Sequence, residues 1–372
     1  MNSLQREKWV VHRWPTWVII VIALIGLLGV IGVKFDYVLY HDPIVTISQV
    51  KNGKPVKQKD EFQNADTITN QQLVGTVRNG DYKGKQVRFE NTFSLSGASD
   101  QRYHKGDDAF VMIRQKGEKV TIRETKRDVP LAFTAWLTII LLLATMMFSG
   151  LMAFTSVAIN SILFYWAVRL NGDSNGGKVL LIFGLLTIVF AVVTLWIVMG
   201  ISHQMLVTLL ATLGGTFLSV LVALGVFALT KEKGMYYESM EYVTQLPKPL
   251  FLAETILGSL GAVMDESTDI VASLFTLKQE QPELSSKQVY RSGRQIGRTI
   301  MGPLINVLFF IFMAETIPMA LLYLKNGNTW GYTFSMNMSL GMIQSLISGI
   351  GIVLAIPLAS WFASFALRRR AQ

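Results

Sequence analysis

The stretch ILGSLGAVMDESTDIVASLF, Ile256–Phe275, has the length and small-residue content of a membrane helix, yet Asp265, Glu266 and Asp269 sit in its middle. About 20 apolar residues cross a bilayer core, and a carboxylate at its centre costs roughly 2.5–3.5 kcal/mol. At about 100° per residue, Asp265 falls about 20° from Glu254 on a helical wheel. Gly258, Gly261, Thr268, Asp269 and Ala272 share that stripe. The other side is Leu257, Leu260, Val263, Ile270 and Leu274. This pattern predicts leucines turned to lipid, and acids and glycines turned to other helices, where glycine allows close backbone approach. Glu266 lies off the stripe, at about 120° from Glu254.

The rest of the chain sets the context. It has 372 residues, 51% hydrophobic and only 16% charged, with a mean hydropathy of +0.40, which excludes an ordinary soluble domain. The net charge of +9 reads as cytoplasmic-loop Lys and Arg. No aromatic-plus-basic module points to nucleic acid. The chain has no cysteine, so disulfides and thiolate chemistry are excluded. His12, His41, His104 and His203 are scattered, and neither an HExxH zinc motif nor a Gly-rich GK[ST] phosphate loop is present. An intramembrane aspartyl protease needs Y-D and G-x-G-D on separate helices; here Asp265 follows Met264, and no G-x-G-D occurs. The expectation is a non-enzyme with no catalytic residue, metal or cofactor.

Eight apolar runs are expected to span a membrane: 18–33, 131–149, 152–169, 178–200, 205–230, 250–277, 299–323 and 340–367. The first is expected as a retained anchor; a cleaved signal peptide is the rival, but no A-x-A site follows. With the N-terminus inside, the inner side holds eleven basic residues: Arg6, Lys8, Arg13, Lys278, Lys287, Arg291, Arg294, Arg298, Arg368, Arg369 and Arg370. The short outer loops hold five: Lys178, Lys231, Lys233, Lys248 and Lys325. Positive residues favour the inner side, so both termini are expected to be cytoplasmic. The organisation is then a cytoplasmic N-terminus (1–16), a signal anchor (17–34), an outer domain (35–129) and a seven-helix membrane domain (130–372).

The outer domain reads as β. Pro43–Val50, Gln72–Gly80, Gly84–Phe93, Asp108–Arg114 and Lys119–Thr125 alternate or are β-branched, and NGDYKG and QKGEK are turn-like. Five strands predict a small barrel of OB or SH3-like type, with Gly106 and Asp107 making a turn. Arg78, Lys83, Lys85 and Arg88 form either a basic binding face for an envelope ligand or a plain solvated face.

After the acidic span, Ser285 with Gln288 predicts a capping box at a helix start. Arg294 and Arg298 share a face of that helix. Pro303 is expected to kink or reset it, and Pro318 to bend its outer end. Asn306 and Glu315 add polar groups at depth. Two accounts of the charges stand open. In one, Arg294 or Arg298 neutralises Asp269 at a wet inner interface. In the other, Glu254, Asp265 and Asp269 hold a coupling cation or proton, since intramembrane ionisable groups mark functional sites. The segment GSLGAVMDEST is a candidate helix break of the transporter kind, but no inverted repeat is visible.

LGSLGAVMD (Leu257–Asp265), SGRQIGRTIMG (Ser292–Gly302), SGIGIVLAIPLAS (Ser348–Ser360) and the outer YKGKQVRFEN followed by GDDAFV resemble the YibE/F-like family of bacterial multi-span membrane proteins. The resemblance runs in order over nearly the whole chain, departing from the family's run at Thr299 and Pro303. It implies a bacterial plasma-membrane location and a second, paired family member as partner. It brings no substrate and no catalytic residue.

The expected protein is thus an α-helical polytopic membrane protein of about eight spans, with an inserted extracytoplasmic all-β domain. The expected role is ion-coupled transport, alone or as a subunit beside the paired homologue. Glu254, Asp265 and Asp269 would couple, Arg294 and Arg298 would be counter-charges, and Gly258, Gly261, Gly297 and Gly302 would pack helices. The alternative is a non-transporting assembly, or an envelope-sensing scaffold, whose β domain binds a partner.

Overall fold

The computed structural model describes residues 16–368 except 62, 98–99, 115–118, 174–177 and 241–245. Arg6, Lys8, Arg13, Arg369, Arg370 and the 115–118 turn therefore lie outside the described residues. The chain forms two compact units, Met1–Leu151 and Met152–Gln372.

The first unit begins with α1 (Thr16–Val33). Six strands follow: β1 (Ile44–Asn52), β2 (Val56–Lys59), β3 (Ala65–Val77), β4 (Gln86–Ser94), β5 (Asp108–Arg114) and β6 (Lys119–Thr125). Among the described residues the strand pairings are antiparallel, and the path runs β2-β3-β1-β5-β6 with β4 on the far edge of β3. The result is a half-barrel. Alternation drives the packing: Val45, Ile47, Leu73, Val77, Val87, Phe89, Ala109 and Val111 point inward to one core.

Two features differ from the sequence expectation of five strands. β2 is a sixth strand, fully exposed along its length, so no hydrophobic alternation betrays it. β3 begins seven residues earlier than the expected Gln72, because its polar first half pairs with β2 and β4.

A buried polar residue organises this core. Gln71 is 0% exposed. Its amide donates to Asn52 Oδ1 (2.9 Å) and to the Tyr103 carbonyl (3.0 Å), and its oxygen accepts from Tyr103 N–H (3.0 Å) and Asn91 Nδ2 (2.9 Å). Both polar atoms of the Gln71 side chain thus have partners, as burial requires.

The helix ends are tied to the sheet by Lys126, whose side chain is 2% exposed. Its ammonium donates to the Val33 carbonyl (2.7 Å), at the end of α1. It also contacts Asp36 (2.6 Å) and Asp128 (2.9 Å), and it lies over the rings of Tyr37 and Tyr40. Burial opposes the ammonium charge, but the bonds to Asp36 and Asp128 outweigh it and raise the Lys126 pKa above the ordinary lysine value. The Tyr40 hydroxyl donates to Asp128 (2.5 Å), which pushes its pKa up to about 12.

Helix α2 (Asp128–Asp173) packs its first part on α1. A Cβ at Gly26 would strike the Trp136 ring, and Trp136 Nε1 donates to the Ala23 carbonyl (2.9 Å). A Cβ at Gly150 would stand 2.6 Å from the Leu142 carbonyl. Eight residues of straight helix span about 12 Å, so the backbone bends sharply between them.

The second unit holds α3 (Val179–Met199), α4 (His203–Thr230), α5 (Pro247–Glu280), α6 (Ser286–Lys325), α7 (Trp330–Thr333), a π-helical turn (Phe334–Met338) and α8 (Ser339–Arg368). α8 packs on α4, α5 and α6, and α5 packs on α3, α4, α6 and α8. The expected capping box is present: Ser285 and Gln288 satisfy each other's backbone N–H at the start of α6. The expected break in GSLGAVMDEST is absent, for α5 runs unbroken from Pro247 to Glu280. α6 likewise continues as helix through both Pro303 and Pro318.

Among the described residues, six helical segments are long and apolar enough to cross a membrane: 128–146, 149–172, 179–199, 203–230, 286–325 and 330–368. α1 is apolar but shorter. α5 carries Glu254, Asp265, Glu266 and Asp269, which lower its hydropathy.

Candidate functional site

Helix α5 lies at the centre of the second unit, and its faces are the reverse of the sequence expectation. Leu260, Val263, Ile270 and Leu274 are buried inside the protein, while Glu254, Gly258, Gly261, Asp265 and Asp269 lie on the exposed side. The reason is packing. Four neighbours surround α5, and its apolar side enters the interhelix core with Val207, Ala211, Ile356 and Ala359. The wheel grouped the residues correctly but not the direction each group faces.

The expected site residues accordingly separate. Glu254 lines a cavity of about 360 Å³ with Glu315, Tyr323, Asn337 and Gln344, beside the π-helical turn. Asp265 and Asp269 are exposed further along α5. Among the described residues, neither Arg294 nor Arg298 forms an ion pair with these acids. Both arginines are exposed, beside Arg291. Of the glycines, Gly297 packs tightly, since a Cβ there would collide with Ile356. Gly258 faces the Gln344 amide, whereas Gly261 and Gly302 have open space. Gly293, which sequence reasoning passed over, is as tight as Gly297: a Cβ would strike Ser360 and Leu274.

The residue that stands out is Glu266. It is 0% exposed, and among the described residues neither carboxylate oxygen has a hydrogen-bond partner. It lies one turn beyond Val263, which fills the space at Gly215 of α4 and Gly351 of α8. Val207 and Ala211 of α4 share a core cluster with Ile270 and Val271 of α5. Glu266 therefore sits level with the stretch of α4 between Ala211 and Gly215.

The interior along α4 and α5 is rich in hydroxyls. Thr208, Thr212, Thr216 and Ser219 form a stripe on α4, and Thr255, Ser259 and Ser267 lie on α5, all at 0% exposure. Thr208, Ser219, Thr255 and Ser259 donate back to carbonyls of their own helices. Thr212, Thr216 and Ser267 leave their side-chain oxygens unpartnered, as Glu266 does.

Burying an ionised carboxylate without a partner costs several kcal/mol. A proton or a bound cation must therefore compensate the Glu266 charge. Hydroxyl and carboxylate oxygens are hard donors suited to hard cations, and a lone carboxylate suits a single positive charge. The described residues contain no group of three or more His, Cys, Asp or Glu able to hold a metal ion.

A sequence signal for Glu266 existed. It falls within about 20° of both Thr255 and Ser259 on the wheel, so it continues a hydroxyl stripe instead of the acidic one.

Neither the curated proteins nor the solved structures contain a match to the chain. The YibE/F family N-terminal domain matches residues 38–125, which hold the half-barrel. The YibE/F-like protein family matches residues 134–369, which hold all the helices of the second unit. With the two matches covering nearly its whole length, the chain belongs to the YibE/F-like family.

Proposed function

We propose that the protein spans the bacterial plasma membrane and works in ion-coupled transport, alone or as a subunit beside a paired homologue. Its eight spans are α1, the two parts of α2, α3, α4, α5, α6 and α8. The β domain, a small OB- or SH3-like half-barrel, lies outside the membrane, and both termini are cytoplasmic. Glu266 carries the coupling proton or monovalent cation. The observation behind this is its fully buried carboxylate with both oxygens unpartnered, in an interior of unpartnered hydroxyls. A structural carboxylate would have an arginine, a lysine or backbone N–H donors around it. Glu254 and Glu315 line a separate cavity, with Glu254 twelve residues from Glu266 along α5.

The test uses membrane vesicles bearing wild type or Glu266→Gln, with an imposed pH or Na⁺ gradient. Wild-type vesicles dissipate one of these gradients faster than empty vesicles. Glu266→Gln assembles to the same level and loses that flux. A fully assembled Glu266→Gln protein with unchanged flux would overturn the assignment.

A second role has one observation in its favour. Gly261, Asp265 and Asp269 face outward from α5, a polar surface that lipid tails do not solvate. A scaffold that holds a partner subunit against this face would use it. Asp265→Asn separates the two roles: it dissociates the complex if the face is an interface, and it slows flux in an intact complex if the face is part of the ion path.

A further inference from the structure

We propose that the start of α6 is a binding site for the phosphate headgroups of anionic phospholipids. Lys287, Arg291, Arg294 and Arg298 follow one another at spacings of four, three and four residues. That spacing puts all four on one face of the helix, over about 16 Å of its length. All four are exposed, and among the described residues none forms an ion pair. Arg291, Arg294, Gln295 and Arg298 line a shallow depression of about 390 Å³.

The helix cannot rotate to hide this stripe. An adjoining face, turned away from the stripe, carries Gly293 and Gly297, seated so closely on Ser360, Leu274 and Ile356 that even a methyl group would collide. Val289 is buried on that same side. The capping box at Ser285 fixes where the helix begins. The four cations are thus held outward by packing on the other side.

Their place along the helix selects the partner. Directly after Arg298 the chain turns apolar, from Ile300 through Leu322. A stripe of cations ending where an apolar run begins lies at headgroup level in a bilayer. Guanidinium groups match phosphate oxygens in a bidentate fork. Among the described residues Arg298 forms no ion pair with Asp269 of α5, so it is open to an outside anion. The proposal rests on membrane insertion alone, and it stands or falls independently of the coupling role of Glu266.

The test measures thermal stability of the purified full chain in nanodiscs of phosphatidylcholine, with and without phosphatidylglycerol. Phosphatidylglycerol raises the Tm of wild type. The variant K287Q/R291Q/R294Q/R298Q loses that rise, while the control K231Q/K233Q keeps it. Each neutralised residue weakens phosphatidylglycerol binding about fivefold, the equivalent of about 1 kcal/mol. If the quadruple variant does not fold, R291Q/R294Q must lose about half the rise. The proposal fails if the variants keep the phosphatidylglycerol effect. It also fails if inorganic phosphate reproduces the effect in phosphatidylcholine discs, which would mean a free-anion site. Binding of polyglutamate to those discs with no phosphatidylglycerol effect would assign the face to an acidic protein and overturn the lipid assignment.

Discussion

Lys126 and Glu266 are both charged side chains taken out of water, and their surroundings are opposite. Lys126 has two carboxylates, a backbone carbonyl and two tyrosine rings around its ammonium. Glu266 has no hydrogen-bond partner for either oxygen among the described residues. In the first unit, Gln71 repeats the Lys126 pattern without charge, with four hydrogen bonds to its side chain. Folding alone explains a fully partnered group, which loses little on burial and holds elements in register. It does not explain an unpartnered one. Lys126 and Gln71 use buried polarity for structure, and the proposed coupling role gives Glu266 a different use for it.

Substitutions sharpen that contrast. The largest effect is expected from Lys126→Met. It leaves Asp36 and Asp128 facing each other beside α1, and breaking such a buried pair costs about 3 kcal/mol. Hydrogen exchange should show faster opening of β1 and of the first turn of α2, with α4 and α5 unchanged. Gln71→Leu comes next. It strands the Tyr103 N–H and carbonyl and the Asn91 amide, at about 2 kcal/mol, read as lost protection in β3 and β4. Glu266→Gln should move the Tm of the second unit little, because the amide keeps the shape of a carboxyl whose charge is already compensated and breaks no partnered network. A loss as large as that of Lys126→Met would break the comparison.

The smallest effect is one of pH. The Lys126 pKa is raised by folding, so its contribution is complete below the unfolded value of about 10.5 and is lost as pH climbs through the higher folded value. Protection around Tyr37 and Tyr40 should hold from neutrality to that point and fall beyond it. A loss between pH 6 and 9 would contradict the Lys126 account.

Much of this was legible in the sequence. Six of the eight apolar runs, the capping box at Ser285 and the alternation of Asp108–Arg114 each follow from a local rule, and each has its counterpart in the fold. β2 was hidden because an exposed strand has no hydrophobic period to read. The orientation of α5 was hidden for a different reason. Periodicity defines the faces of a helix, but the number of its neighbours decides which face is inside. With neighbours on several sides, the leucines went in and Asp265 and Asp269 went out. Glu266 lies off the acidic stripe, and its alignment with Thr255 and Ser259 is the sequence feature that marks it as the acid the core encloses.

The most direct test of the central claim is difference infrared spectroscopy of the purified full chain, comparing low with high pH and the absence with the presence of Na⁺. A carboxyl group that exchanges a proton for a cation gives a C=O band that loses intensity on alkalinisation or on Na⁺ addition. The account predicts this band in wild type and in Asp265→Asn, and its disappearance in Glu266→Gln. An identical band response in wild type and Glu266→Gln would show that Glu266 takes no part in the exchange.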